Sequence, residues 1–129
     1  MTNLTYIAPF FIVDNLNNSV GYYVEKLGFK VLYTGPDNEP YWAIVGRDSV
    51  SIMLKAIAPG INPIPNSTRH EWAPWDAYVS TADPRLLYEE YVSNGATFSK
   101  PLHINSDNLK GFEIKDADGY VLFFGRPDL

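Results

Sequence analysis

The chain states one pattern twice, and that repetition limits its possible folds more than any other feature. Asn15-Leu16 opens a helical pattern that stops at Gly28, and strand-like runs follow, ending in Asp48-Ser49-Val50-Ser51-Ile52-Met53-Leu54. Asp83-Pro84 opens a second helical pattern that stops at Gly95, and the matching run is Asp118-Gly119-Tyr120-Val121-Leu122-Phe123-Phe124. Repeated halves of this kind enclose a space between strands, so the functional question becomes what lines that space.

The element signals are local. Tyr6 to Val13 is apolar and rich in aromatic and β-branched residues, which predicts a strand. Asp14-Asn15 supplies a helix N-cap, and Leu16, Val20, Tyr23, Val24 and Leu27 share one helical face. Gly28 sits where a left-handed residue ends a helix. Strands are expected over Phe29–Thr34, Tyr41–Val45 and Val50–Lys55. In the second half a strand is expected from Trp72 to Thr81. Asp83-Pro84 is a capped helix start, and Leu87, Tyr88 and Tyr91 lie on one face. Strands follow over Thr97–Ile104, Phe112–Lys115 and Tyr120–Phe124, the first interrupted by Pro101, which suits an edge or a bulge. The order is β-α-β-β-β twice, an α+β chain. Repeats at about 4–58 and 72–127 are joined by a Pro-rich linker, 59–71, in one domain over 1–129.

Composition narrows the function. The formal charge is −5, which argues against sequence-independent nucleic-acid binding, since that needs Lys/Arg stripes. There is no cysteine, so a thiolate nucleophile or metal ligand is excluded. No apolar run is long enough to span a bilayer and no signal-peptide pattern opens the chain, so a cytoplasmic location without membrane contact is the expectation. Aromatic residues make up 15% of the chain and fall largely on the strand-like runs, where they offer flat faces to a core or to a flat ligand. His70 reads as a solvated loop residue and His103 as polar surface. Glu113, between Phe112 and Ile114, is expected to face solvent, and Asp116 to serve the turn. No Gly-rich phosphate loop or nucleophile–base arrangement is evident, so no catalytic residue is assigned.

The segment Val13 to Phe29, with Leu16, Ser19, Tyr23 and Leu27-Gly28-Phe29, resembles the signature of the vicinal-oxygen-chelate superfamily, and Asp116-Ala117-Asp118-Gly119 with the run to Phe124 is similar to its closing turn and strand. That superfamily includes glyoxalase, extradiol dioxygenases, fosfomycin thiol transferases and bleomycin-resistance proteins. The resemblance implies two βαβββ modules forming a half-open barrel. In the enzymes of the group, His, Glu or Gln side chains hold a divalent metal there. Counted from the motifs, the ligand positions fall on Ala8, Asp76 and Phe123. Alanine and phenylalanine cannot bind a metal, and a catalytic site needs about three protein ligands, so no metal or other cofactor is expected.

What the resemblance then brings together is an aromatic and apolar lining: Phe10 and Ile12, Trp42 and Ile44, Tyr78 and Phe123, with Trp72 and Trp75 at the entry and Asp76 as the charged group able to hold a cation. Together with Ala8-Pro9-Phe10-Phe11-Ile12-Val13, which resembles the first strand of the bleomycin-resistance branch, this implies a metal-free homodimer that sequesters a flat or cationic aromatic small molecule. The alternatives are a metal-dependent lyase, isomerase or dioxygenase with atypical ligands, and a non-catalytic structural or regulatory dimer whose barrel Phe123 plugs.

Overall fold

Both helices form where their caps place them. In the computed structural model, which describes residues 1–129, α1 spans Leu16–Glu25 and α2 spans Pro84–Ser93. The Asn15 side chain accepts from the Asn18 N–H at 2.9 Å, and the Asp83 side chain from the Leu86 N–H at 3.1 Å. Each capping oxygen meets one of the N–H groups that a first turn leaves without a partner. After α1 the chain turns at Gly28, φ +74°, and the Phe29 N–H bonds the Tyr23 carbonyl at 3.0 Å, so the last turn is closed. Gly95 repeats the same φ after α2.

The strands are β1 (Phe10–Ile12), β2 (Lys30–Gly35), β3 (Trp42–Arg47), β4 (Val50–Lys55), β5 (Ala77–Ser80), β6 (Phe98–Ile104), β7 (Leu109–Lys115) and β8 (Val121–Pro127). They make two sheets of four, ordered β1-β4-β3-β2 and β5-β8-β7-β6. In each sheet the strand before the helix pairs parallel with the last strand of its module, and the other pairs are antiparallel. The βαβββ repeat is therefore real, and the fold is α+β. No strand pairing joins the two sheets, which are not closed into a barrel.

β1 and β5 are shorter than their apolar runs suggest. Residues 1–7 are exposed and 72–76 form loop, because only the short stretch beside β4 or β8 finds backbone partners. Pro101 does fall at an irregularity: the β6–β7 register shifts between Lys100 and His103. The linker holds a short 3₁₀ turn, Asn66–Thr68.

One buried cluster is drawn from both halves, with Phe11, Tyr23 and Leu54 from the first and Tyr91, Phe112 and Phe124 from the second. Polar links stitch the same seam. The Tyr23 hydroxyl donates to Asp116 Oδ2 at 2.7 Å, and the Tyr91 hydroxyl to the Leu27 carbonyl at 2.9 Å. Arg47 donates to the Leu27 carbonyl at 2.9 Å and forks onto Glu90 at 2.7 and 2.8 Å. That guanidinium holds the Glu90 carboxyl below its usual range. The Phe11 and Tyr120 rings stack at 4.3 Å, and the Tyr120 hydroxyl donates to the Ile12 carbonyl.

Candidate functional site

Helix and seam cover one face of each sheet, and the opposite face carries the candidate site. Cross-strand registry sets side chains in rows there, because directly paired residues point the same way. On the first sheet the row is Phe10, Met53, Ile44 and Tyr33. On the second it is Tyr78, Phe123, Glu113 and Lys100. The rows occupy matching strands of the repeat. One is apolar and aromatic, the other ends in two charges.

On the second sheet the rings are packed into a stack. Trp75 lies on Phe123 at 4.1 Å and 22° between planes, and Tyr78 flanks Phe123 at 5.6 Å and 14°. Phe123 is fully buried. Its ring has room because the paired residues Gly111 and Gly125 lie beneath it: a Cβ on Gly111 would stand 2.6 Å from its Cζ, and one on Gly125 2.6 Å from its Cε2. A Cβ on Gly125 would also meet the Lys110 carbonyl oxygen at 2.4 Å, a backbone atom that cannot step aside cheaply. Gly125→Ala is accordingly expected to cost about 1–3 kcal/mol of stability, read as a lower urea midpoint.

Trp75 does more than cover Phe123. Its indole N–H donates to Glu113 Oε2 at 2.8 Å, while the Ser99 hydroxyl donates to Oε1 at 3.0 Å. Glu113 is 5% exposed, so it does not face solvent as the alternation of β7 suggested. Both faces of β7 are covered: Phe112 and Ile114 lie in the core, and Glu113 lies beneath the Trp75 loop. The chain's ion pair is Arg47–Glu90, and Glu113 takes part in none.

A cleft of about 720 Å³ opens beside this stack, between the loop 66–75 and the strands β6 and β7. Trp72, Trp75, Lys100, His103 and Glu113 line it. Trp72 is 84% exposed and Trp75 half-buried, so both offer ring surface to a ligand. His70 also reaches the lining, 5.4 Å from Trp72. The His103 Nδ1 lies 2.7 Å from the Pro101 carbonyl. A carbonyl only accepts, so Nδ1 carries the proton. The bulge at Pro101 turns His103 toward the cleft, a displacement that strand alternation could not foretell.

The other expected contacts divide. Tyr78 joins the stack, and Phe123 is its floor beneath Trp75 rather than an open surface. Asp76 is committed to the backbone: Oδ1 accepts from the Asn66 N–H and Oδ2 from the Val121 N–H, each at 2.8 Å. It thereby pins the linker to β8, and with the Asn66 amide donating to the Trp75 carbonyl at 2.9 Å it fixes the cleft wall. Phe10, Ile12, Trp42 and Ile44 sit on the first sheet, where Trp42 stacks on Tyr33 at 5.0 Å. No ring pair joins them to the Trp75 stack within the chain.

The residues do not fit a divalent metal. The side chains of Ala8 and Phe123 carry no donor atom, Asp76 bonds backbone N–H groups and is not part of the cleft lining, and no three His, Cys, Asp or Glu side chains gather in the chain to hold an ion. No helix is long and apolar enough to cross a membrane.

Solved structures share the architecture. TioX from Micromonospora sp. ML1 is 16% identical over 95% of this chain and 98% of its own, with a TM-score of 0.72. The bleomycin-binding protein from bleomycin-producing Streptomyces verticillus, solved with copper(II)-bleomycin, is 17% identical over 96% and 97%, with a TM-score of 0.67. TnmS3, an antibiotic binding protein from Streptomyces sp. CB03234, is 19% identical over 98% and 99%, with a TM-score of 0.64. At these identities the likeness is one of fold. No match is found among the curated proteins. The family model described as Glyoxalase/Bleomycin resistance protein/Dioxygenase superfamily matches residues 4–124, and with the βαβββ repeat in place the chain belongs to that superfamily.

Proposed function

We propose that the chain is a small-molecule binding protein that holds a planar aromatic compound in the cleft beside Trp75 and acts by sequestration. The observation that carries this reading is the Trp75–Phe123–Tyr78 stack set beside the buried Glu113 in an open cleft. The Trp72 and Trp75 rings, set in a lining that is otherwise mostly polar, suit a flat ligand that also carries polar groups. Two of the structural neighbours are described as bleomycin-binding and antibiotic binding, which supports a binding role without naming this chain's ligand.

The working unit in this reading is a homodimer. On the first sheet Phe10 is 50% exposed and Tyr33 57% exposed. A second copy that lays this face over the cleft would bring Phe10, Ile12, Trp42 and Ile44 to the same ligand. The competing reading, a filled face with only a structural part to play, draws on the complete burial of Phe123.

Acridine, a neutral planar probe, separates the two. Titration followed by tryptophan fluorescence is expected to show saturable quenching with Kd of about 10 μM. Trp42→Ala is expected to weaken binding about tenfold with the melting temperature nearly kept, since Trp42 is only half-buried. Unchanged binding in Trp42→Ala would confine the site to the second sheet, and no quenching at all would favour the filled face. Bleomycin in the same assay tests the antibiotic version separately.

A further inference from the structure

We propose that Glu113 reads a positive charge, so that the occupant of the cleft is an organic cation: a protonated amine or amidinium on a planar aromatic body. This rests on the reading of the cleft as a ligand site and goes further by assigning the charge and the residue that senses it.

The repeat supplies the argument. Glu113 stands opposite Phe123 in β8, where Ile44 stands opposite Met53 in β4 of the first sheet. The matching sheet pairs its strands with an isoleucine at this place, so the ladder itself does not call for a carboxylate. Burying a carboxylate without a cation is unfavourable. Yet Glu113 is 5% exposed, and its partners, the Trp75 indole and the Ser99 hydroxyl, are both neutral donors. Each takes one acceptor position on one oxygen, and a carboxylate offers about two on each. Unused acceptor capacity thus remains at the cleft wall. The indole bonded to it gives an aromatic face for the same cation. Lys100, the neighbour in register on β6, forms no ion pair with Glu113. Glu71 and Asp107 on the lining add to the negative field, and Lys100 is the cation that opposes it.

The test compares 9-aminoacridine, a cation at neutral pH, with acridine, which is neutral and of nearly the same shape. The intact chain is expected to prefer 9-aminoacridine by about tenfold or more. Glu113→Gln is expected to reduce that preference to less than about twofold. Glu89→Gln, an exposed carboxylate on α2 away from the cleft, is expected to keep it. A second measurement needs no variant: a buried charge is poorly screened, so the preference should largely survive high salt. Equal binding of the two probes, a preference that persists in Glu113→Gln, or one that salt abolishes would each overturn the proposal while leaving the aromatic cleft standing. Failure of both probes to bind would overturn the proposal and the cleft reading together.

Discussion

Asp116→Ala is expected to destabilise the chain by about 3–5 kcal/mol in urea denaturation, more than the loss of either Trp75 or the Gly125 hydrogen. Asp116 is 6% exposed and is the hub of the seam between the halves. Oδ2 takes the Tyr23 hydroxyl at 2.7 Å, and Oδ1 takes the Asp118 and Tyr120 N–H groups at 2.9 and 3.0 Å. The turn that it braces also brings Asp118 Oδ1 to the Asp14 N–H at 2.9 Å. Alanine would strand three donors, one of them the hydroxyl of the fully buried Tyr23.

The same residue gives stability a pH dependence of unusual sign. Burial pushes the Asp116 carboxyl up to about 6 from 3.8, outweighing the hydrogen bonds that favour its charged form. With the folded value above the unfolded one, the folded state holds the proton more tightly between these limits. Its contribution is therefore greatest below about 4 and is lost as the pH rises through 6, by up to about 1–3 kcal/mol. Asp116→Asn removes this slope and is expected to flatten the profile between pH 4 and about 7. Glu90 acts oppositely: Arg47 holds its carboxyl down, so that contribution is present above the ordinary glutamate range and fades as the pH falls through the folded value. Glu90 is 39% exposed, so its part is the smaller.

Trp75→Ala is expected to cost about 2–4 kcal/mol and to weaken acridine binding by about tenfold or more. It uncovers Phe123, removes the stack at 4.1 Å and leaves Glu113 with Ser99 as its only donor. Trp75→Phe separates these effects. It keeps a ring over Phe123 but loses the N–H, so about 1–2 kcal/mol of stability should go while most acridine binding remains. Paired urea and fluorescence titrations of the two variants read the difference. Equal binding losses would assign the role to the indole N–H rather than to the flat face.

The caps at Asn15 and Asp83 and the stops at Gly28 and Gly95 were legible because each acts within a turn or two of chain. The repeat of those signals, with the strand pattern, was enough for the βαβββ order, and the resemblance of Val13–Phe29 and Asp116–Phe124 to known motifs pointed to the family that the family model shows. Glu113 was not legible. Alternation along β7 assumes one dry face and one wet one, and here the second face is covered by a loop that arrives from Trp75. The family resemblance put Asp76 at a ligand position, but whether its oxygens faced a cleft or a backbone depended on where Asn66 and Val121 came to lie. His103 entered the cleft lining through a register shift that no local pattern encodes.

By itself, then, the sequence determined the two modules, their capped helices and the donor-free side chains of Ala8 and Phe123, since these depend on residue identity and short-range spacing. Only the tertiary structure decided which aromatic rings meet, that Phe123 lies beneath Trp75 over Gly111 and Gly125, and that Glu113 rather than Asp76 is the buried acid at the cleft. Those outcomes follow from how separate strands and one long linker pack together. Burial and hydrogen-bond partnership are properties of that packing, and a residue's place in the chain does not fix them.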